Sequence, residues 1–368
     1  MLKSSKRIVI KVGSSLVIGD DDQVRAVWLE SVAQDIASLK QQGTQVIVVT
    51  SGAVALGRHV LGYGSRALTL EEKQAAAACG QITLFSTWQG ALAMHGLSAA
   101  QMLLTADDSI NRRRYLNARN TLETLLENPH IVPVINENDT VATAELRFGD
   151  NDRLAARVSQ MAAADTLVLF SDIDGLYDVD PKTNPQARFM DTVDEITPEI
   201  ERMAGGVGSA VASGGMVTKL EAAKIATAAG CHMVIAKGSG SHPLKQLLTG
   251  GKHTRFVAKH SPLSARKHWI AGSLHPAGSV VVDDGAADAL KSGKSLLPAG
   301  VRSVEGQFER GDAVLIKDSK GHIIGRGLSA YSLQDALKIM GRKSQEIEQL
   351  LGFKGRAALI HRDDMALE

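Results

Sequence analysis

Arg7-Ile8-Val9-Ile10-Lys11-Val12-Gly13-Ser14-Ser15 is an apolar run that stops at a lysine and turns at a glycine. Residues 7–12 therefore read as a buried strand. The turn behind it brings a lysine head and free backbone amides together, where they can converge on one anion. Taken alone, the stretch fits a solvated lysine at a strand end better than a binding site. Two later stretches change the balance: Gly149-Asp150-Asn151-Asp152, and the glycine-led helix start Ser213-Gly214-Gly215-Met216-Val217-Thr218-Lys219. The ordered set supplies two lysines, backbone donors and carboxylates, the requirements of a site that moves a phosphoryl group.

Working outward, the first 257 residues alternate strands and helices. Val24, Trp28, Leu29, Val32, Ile36 and Leu39 give helical spacing over 22–42, ending at Gly43. Gln45 to Thr50 is the next strand, and helices follow over 52–61 and 70–95. Strands recur at 131–135, 166–171 and 232–236, separated by helices near 112–127, 151–163 and 215–229. This alternation predicts an α/β fold: a three-layer αβα arrangement with a mainly parallel sheet. Ligands of such sheets sit at the carboxyl ends of strands, where Lys11, Ser51, Asn136 and Asp172 all fall.

The pattern changes near residue 258. Residues 258–275, polar and basic with Pro262, read as a linker, and 276–355 as a second, small β-barrel-like domain. Beyond the linker, strands are expected at 279–282, 301–304, 313–316 and 357–360, punctuated by glycines. Residues 356–368 read as a C-terminal tail.

Composition narrows the function classes. A chain of 368 residues, 44% hydrophobic and 22% charged, fits a soluble protein of about two domains. A net charge of +1 gives no overall field toward nucleic acid or an anionic membrane. The only cysteines, Cys79 and Cys231, form neither a disulfide framework nor a metal spacing, so a reducing cytoplasm is the expected location. Their Ala-rich surroundings predict buried, inert thiols. No stretch approaches the roughly 20 apolar residues of a membrane span. Gly293-Lys294-Ser295 imitates the end of a P-loop, but Asp288 stands where its first glycine should be. No Gly-x-Gly-x-x-Gly follows a strand, and the histidines show no metal-ligand spacing.

Other strand ends carry polar chemistry. Ser51-Gly52-Ala53 is a strand-to-helix turn that can hold a carboxylate, or act as a plain helix cap. Asn136-Glu137-Asn138-Asp139 closes an apolar strand, and Asp139 is suited to an ammonium partner. Asp150 fits a helix cap, whereas Asp152, further into the first turn, is placed to hold two lysines. Ser171-Asp172, with Gly175-Leu176-Tyr177, makes a turn able to take a ribose and base. Gly214-Gly215 leading into the helix of Lys219 suits a polyphosphate.

These motifs, with Gln101-Met102-Leu103-Leu104-Thr105 and Leu116-Asn117-Ala118-Arg119, resemble the amino-acid kinase family over residues 1–257. Within that family they are most similar to the branch that makes γ-glutamyl phosphate from glutamate and ATP, the opening step of proline synthesis. Residues from about 276 to 354 resemble a PUA domain. The resemblance implies catalytic roles for Lys11, Asp152 and Lys219, with Asp152 orienting both lysines on the ATP phosphates. It implies that Ser51, Asp139 and Asn151 hold glutamate, Asp139 facing the α-ammonium. ATP would be held by Lys11, Ser171, Asp172, Ser213, Gly214, Gly215, Met216, Val217, Thr218 and Lys219. Relatives often carry Thr where Ser171 and Ser213 stand, and the hydroxyl is kept.

The resemblance further implies Mg²⁺ with the ATP and no resident protein metal site. It also implies feedback inhibition by proline, a homo-oligomer (dimer or tetramer) and hand-over of the labile product to glutamyl-phosphate reductase. RNA binding is not expected of the PUA domain, since Pro276 to Gly355 holds 11 Lys+Arg against 10 Asp+Glu, a balance of +1. Two rivals stay open. One is a kinase of N-acetylglutamate or aspartate, against which Asp139 argues because a carboxylate there wants a free ammonium. The other is an RNA-binding or scaffolding protein on an inactive kinase fold, against which Lys11, Asp152 and Lys219 argue.

Overall fold

The computed structural model describes residues 2–19, 21–142, 151–181, 183–204, 215–272 and 275–368. The chain divides into two compact units, Met1–Pro262 and Leu263–Glu368. In chain order the first unit carries β1 (Arg7–Val12), α1 (Ala26–Gln41), β2 (Gln45–Thr50), α2 (Ala53–Val60) and α3 (Leu70–Ala93). It continues with β3 (Ser98–Leu104), α4 (Arg112–Glu127), β4 (Ile131–Glu137), α5 (Asn151–Met161) and β5 (Thr166–Ser171). A two-residue β6 (Thr192–Val193), α6 (Met216–Ala228), β7 (His232–Lys237) and β8 (His253–Phe256) follow.

The eight-stranded sheet runs in the order β3-β4-β2-β1-β5-β7-β8-β6. Every pairing in it is parallel except that of β8 with β7. Its strands are near-continuous apolar runs because both faces are covered. The period of two sorts them. Ile8, Ile10 and Val12 join Val46, Val48, Val132 and Val134 against Trp28, Leu29 and Ile36 of α1 and Leu84 and Trp88 of α3. Val9, Ile47, Val49 and Ile135 face the other way, onto Leu154, Ala155 and Val158 of α5. Lys11 has the parity of Val9, which aims it at the α5 side.

Two elements differ from their sequence reading. The helix expected over 22–42 begins at Ala26, because Ile18 and Val24 pair in an antiparallel bridge that uses the intervening residues. Ser98–Leu104, whose Ala and Gln give little strand propensity, is nonetheless a strand. Seven-residue pairing with β4 outweighs the local preference.

The second unit contains α7 (Pro262–Gly272), β9 (Gly278–Val282), α8 (Asp284–Lys291), β10 (Val301–Gly306), β11 (Ala313–Lys317), β12 (Ile323–Leu328), α9 (Leu333–Ile339) and β13 (Met365–Leu367). Its sheet order is β10-β9-β11-β12-β13, over a core that includes Val280, Val282, Phe308, Val314, Ile316 and Ile360. The segment read as a linker holds α7, and the segment read as a tail supplies β13, paired antiparallel with β12. In place of the strand expected at 357–360 there is one bridge, Leu296 to Ile360. Among the described residues no helix is long and apolar enough to cross a membrane.

Candidate active site

The carboxyl ends of β1, β2, β4 and β5 and the amino end of α5 meet at one place. Asp152, in the first turn of α5, is fully buried. Its Oδ1 lies 2.6 Å from Lys11 Nζ and its Oδ2 lies 3.1 Å from Lys219 Nζ. Lys11 comes from β1 and Lys219 from the first turns of α6, and both are below 10% exposed at 9% and 6%. Thr218 Oγ1 stands 3.4 Å from the same Oδ2. One carboxylate thus joins segments more than 140 residues apart in the sequence (from Lys11 to Asp152 is 141). Burial pushes the Asp152 carboxyl up, but the two ammonium groups outweigh it and hold the group below the usual aspartate range.

Helices α5 and α6 are kept in register by apolar contact among Ala155, Ala156, Leu220, Ala222 and Ala223. An ion pair between Arg153 and Glu221 lies one position beyond Asp152. The start of α6 is bare of side-chain capping: Gly215 is its N-cap in an extended conformation, and Thr218 donates back to the Gly215 carbonyl. Gly13 caps the short helix Ser14–Val17 behind Lys11, also without a side-chain bond. Among the described residues, helix starts without a side-chain cap therefore accompany both lysines, which favours an anion at this point.

A second cluster lies alongside. Asn151, the first residue of α5, has its Nδ2 2.6 Å from the Thr50 carbonyl, 2.8 Å from Ser51 Oγ and 2.9 Å from Asn136 Oδ1, three acceptors that share its two protons. Ser51 reaches this point because Gly52 takes φ 120°, a conformation that only glycine adopts easily, and so turns β2 into α2. The turn is braced by α3. A Cβ on Gly57 would overlap the Ala76 carbonyl, and one on Gly80 the Ala53 carbonyl, so the two helices touch through backbone. Trp88 Nε1 donates to the buried Thr50 Oγ1 at 3.0 Å, and Asn136 Nδ2 donates to Gln81 Oε1 at 2.8 Å.

The remaining expected residues are placed as follows. Asp139 is half-buried, two positions past the end of β4. Ser171 ends β5, and its hydroxyl lies 3.0 Å from Oδ1 of the exposed Asp172. The Ser171 carbonyl accepts from Gly238 N, which fixes the turns after β5 and β7 side by side. Met216 and Val217 begin α6. Ser213 and Gly214 lie outside the described residues.

Sequence reasoning did not single out Gln81 or Trp88. Their signal was present: a polar and an aromatic residue seven positions apart in an Ala-rich helix share one face. Cys79 differs from its reading, being half-exposed, whereas Cys231 is buried and its thiol is pushed up by burial.

Comparison with known proteins gives a consistent result. The profile of the amino acid kinase family matches residues 6–237, and that of the PUA domain matches residues 278–351. Curated relatives named Glutamate 5-kinase match end to end. The one from Paramagnetospirillum magneticum is 61% identical over 368 residues, covering 100% of this chain and 99% of the relative. Those from Sinorhizobium fredii and Rhodopseudomonas palustris are 55% and 56% identical, covering 100% of this chain and 93% and 97% of their own lengths. Among solved structures, UMP kinase from Ureaplasma parvum has a TM-score of 0.50 at 15% identity, covering 68% of this chain and 98% of its own. At that identity the likeness concerns the fold alone.

Proposed function

The chain belongs to the amino acid kinase family, a family of phosphotransferases, and from that premise we propose that it phosphorylates the γ-carboxylate of L-glutamate with ATP. The product is L-glutamyl 5-phosphate, which opens proline synthesis. The observation that carries the reading is the Lys11–Asp152–Lys219 triplet beside the Asn151–Ser51–Asn136 cluster. The names of the full-length relatives support the same substrate.

The chemistry follows from the groups present. A glutamate side chain, with a pKa of about 4.3, is ionised at neutral pH, so the nucleophile needs no general base. The obstacle is repulsion between that carboxylate and a triphosphate. In this reading the ammonium groups of Lys11 and Lys219 neutralise the transferred phosphoryl group, and Asp152 keeps both at one point. Ser51 and Asn151 grip the amino acid and Asp139 receives its α-ammonium. Ser171, Asp172 and the stretch from Ser213 to Lys219 take the nucleotide.

Mg²⁺ enters as MgATP, the form in which the substrate carries it, held by phosphate oxygens. Among the described residues no group of three or more His, Cys, Asp and Glu side chains is arranged to hold a metal. The same reading extends to a cytoplasmic enzyme working as a dimer or tetramer, inhibited by proline at or beside the glutamate site, whose acyl phosphate passes to a reductase. Added proline should raise the apparent KM for glutamate; turnover indifferent to proline would reject that part. The substrate itself is tested by incubating the protein with ATP, Mg²⁺, hydroxylamine and separate amino acids. Hydroxamate is expected from glutamate. Equal yield from aspartate or N-acetylglutamate would defeat the assignment.

A further inference from the structure

We propose that Gln81 is a positioning residue for the amino-acid substrate, acting through Asn136; the inference deepens the reading above and rests on it. Nothing in the chemistry of phosphoryl transfer calls for a glutamine on α3, yet Gln81 is placed against the side chain that closes β4. Asn136 is 3% exposed, with its Nδ2 2.8 Å from Gln81 Oε1 and its Oδ1 2.9 Å from Asn151 Nδ2. An amide has a polarity, and this one is set from both sides. Were Asn136 turned over, its Nδ2 would face the Asn151 Nδ2 and its Oδ1 would face Gln81 Oε1, donor against donor and acceptor against acceptor.

The Thr50 carbonyl, which can only accept, sets Asn151; Asn151 sets Asn136; and Gln81 takes the remaining Asn136 Nδ2 donor, so it holds the buried amide in place from the far side. Asn151 donates into Ser51 Oγ at 2.8 Å, so the serine acts as an acceptor toward the protein. Its own proton remains available for an anionic ligand. The chain of bonds runs Gln81, Asn136, Asn151, Ser51, and it ends at a hydroxyl poised to donate to a carboxylate. The support is rigid: one turn past Gln81 the buried Leu84 packs beneath the sheet, two turns past it Trp88 anchors Thr50, and beside it Gly80 packs against the backbone of α2. None of these bonds involves Lys219 or Thr218, so the effect should fall on the amino acid and not on ATP.

The test is steady-state kinetics of the full chain with glutamate and ATP varied separately, for Gln81→Met, Asn136→Ala and the double variant. Methionine keeps the volume and removes the acceptor, leaving a buried donor unpaired. That is expected to raise the glutamate KM about tenfold. The ATP KM should stay within about twofold, and the double variant should resemble Asn136→Ala alone because both act on one chain of bonds. Gln81→Leu is a second apolar replacement of similar size should the first not fold, and thermal midpoints check that each variant is native. A glutamate KM that does not move, an ATP KM that moves equally, or penalties that multiply in the double variant would each overturn the inference. Failure of the substrate reading looks different: the unaltered protein would then form no hydroxamate with glutamate, and the inference would fall with it.

Discussion

Asp152→Asn is the perturbation that bears hardest on the site. The asparagine keeps the shape and removes the charge that holds two ammonium groups at 2.6 and 3.1 Å in a buried position. Each charge pair, at an effective dielectric of 20 and a separation of about 4 Å, is worth about 4 kcal/mol before desolvation. Desolvation of the three groups offsets much of that, and removal of one partner from a buried pair costs about 3–5 kcal/mol in measured cases. Here both lysines retain slight exposure, 9% and 6%, and the amide oxygen still accepts one bond. The expected loss is therefore at the lower end, about 3 kcal/mol. Urea unfolding followed by tryptophan fluorescence reads it, since Trp28 and Trp88 are buried in this unit. A polyanion can replace the missing carboxylate, so a saturating non-hydrolysable ATP analogue should raise the variant's midpoint by more than it raises that of the unaltered protein. Turnover should fall by at least two orders of magnitude, because the lysines are no longer held at one point (about 3 kcal/mol in the barrier). A variant within about 0.5 kcal/mol of the parent and of near-normal turnover would refute the reasoning.

Further outcomes follow from the same geometry. Because the folded Asp152 titrates below the ordinary value of 3.8, its contribution is present at neutral pH and is lost as pH falls through the folded value. The stability gap between parent and Asp152→Asn should thus stay flat from about pH 8 to 5 and close only below about pH 4; a gap closing near neutrality would contradict it. Lys11→Met and Lys219→Met should each lower kcat by about a hundredfold or more while leaving the fold intact by circular dichroism. Gly80→Ala places a methyl against the Ala53 carbonyl and should destabilise by about 2 kcal/mol, read as a lowered denaturation midpoint. In thiol labelling of the native protein, Cys79 should react and the buried Cys231 should not.

How much of this was legible in the sequence depends on the distance over which a signal acts. The strand over 7–12 and the helices of α5 and α6 carry their own periodicity, and the parity of Lys11 with Val9 is enough to aim it at one face of the sheet. The meeting of Lys11, Asp152 and Lys219 at one carboxylate is a tertiary fact, suggested by motif order but written in no local pattern. β3 and β13 were missed for the same reason: Ser98–Leu104 and Met365–Leu367 are strands because an edge needed a partner, not because their residues favour extension. Gln81 and Trp88 escaped notice because an Ala-rich helix shows little contrast between its faces, and only the tertiary fold brings their face against the ends of β2 and β4.

The claim on which the account rests is that a carboxylate of the substrate attacks phosphorus directly between two lysines. Glutamate labelled with ¹⁸O in its side-chain carboxylate, turned over with ATP and trapped by hydroxylamine, tests it. Hydroxylamine attacks the acyl carbon, so the bridging oxygen leaves with the phosphate. ³¹P NMR should show inorganic phosphate carrying one ¹⁸O, with that signal lost in Lys11→Met. Phosphate free of label would mean that water and not the carboxylate had taken the phosphoryl group, and the account would be wrong at its centre.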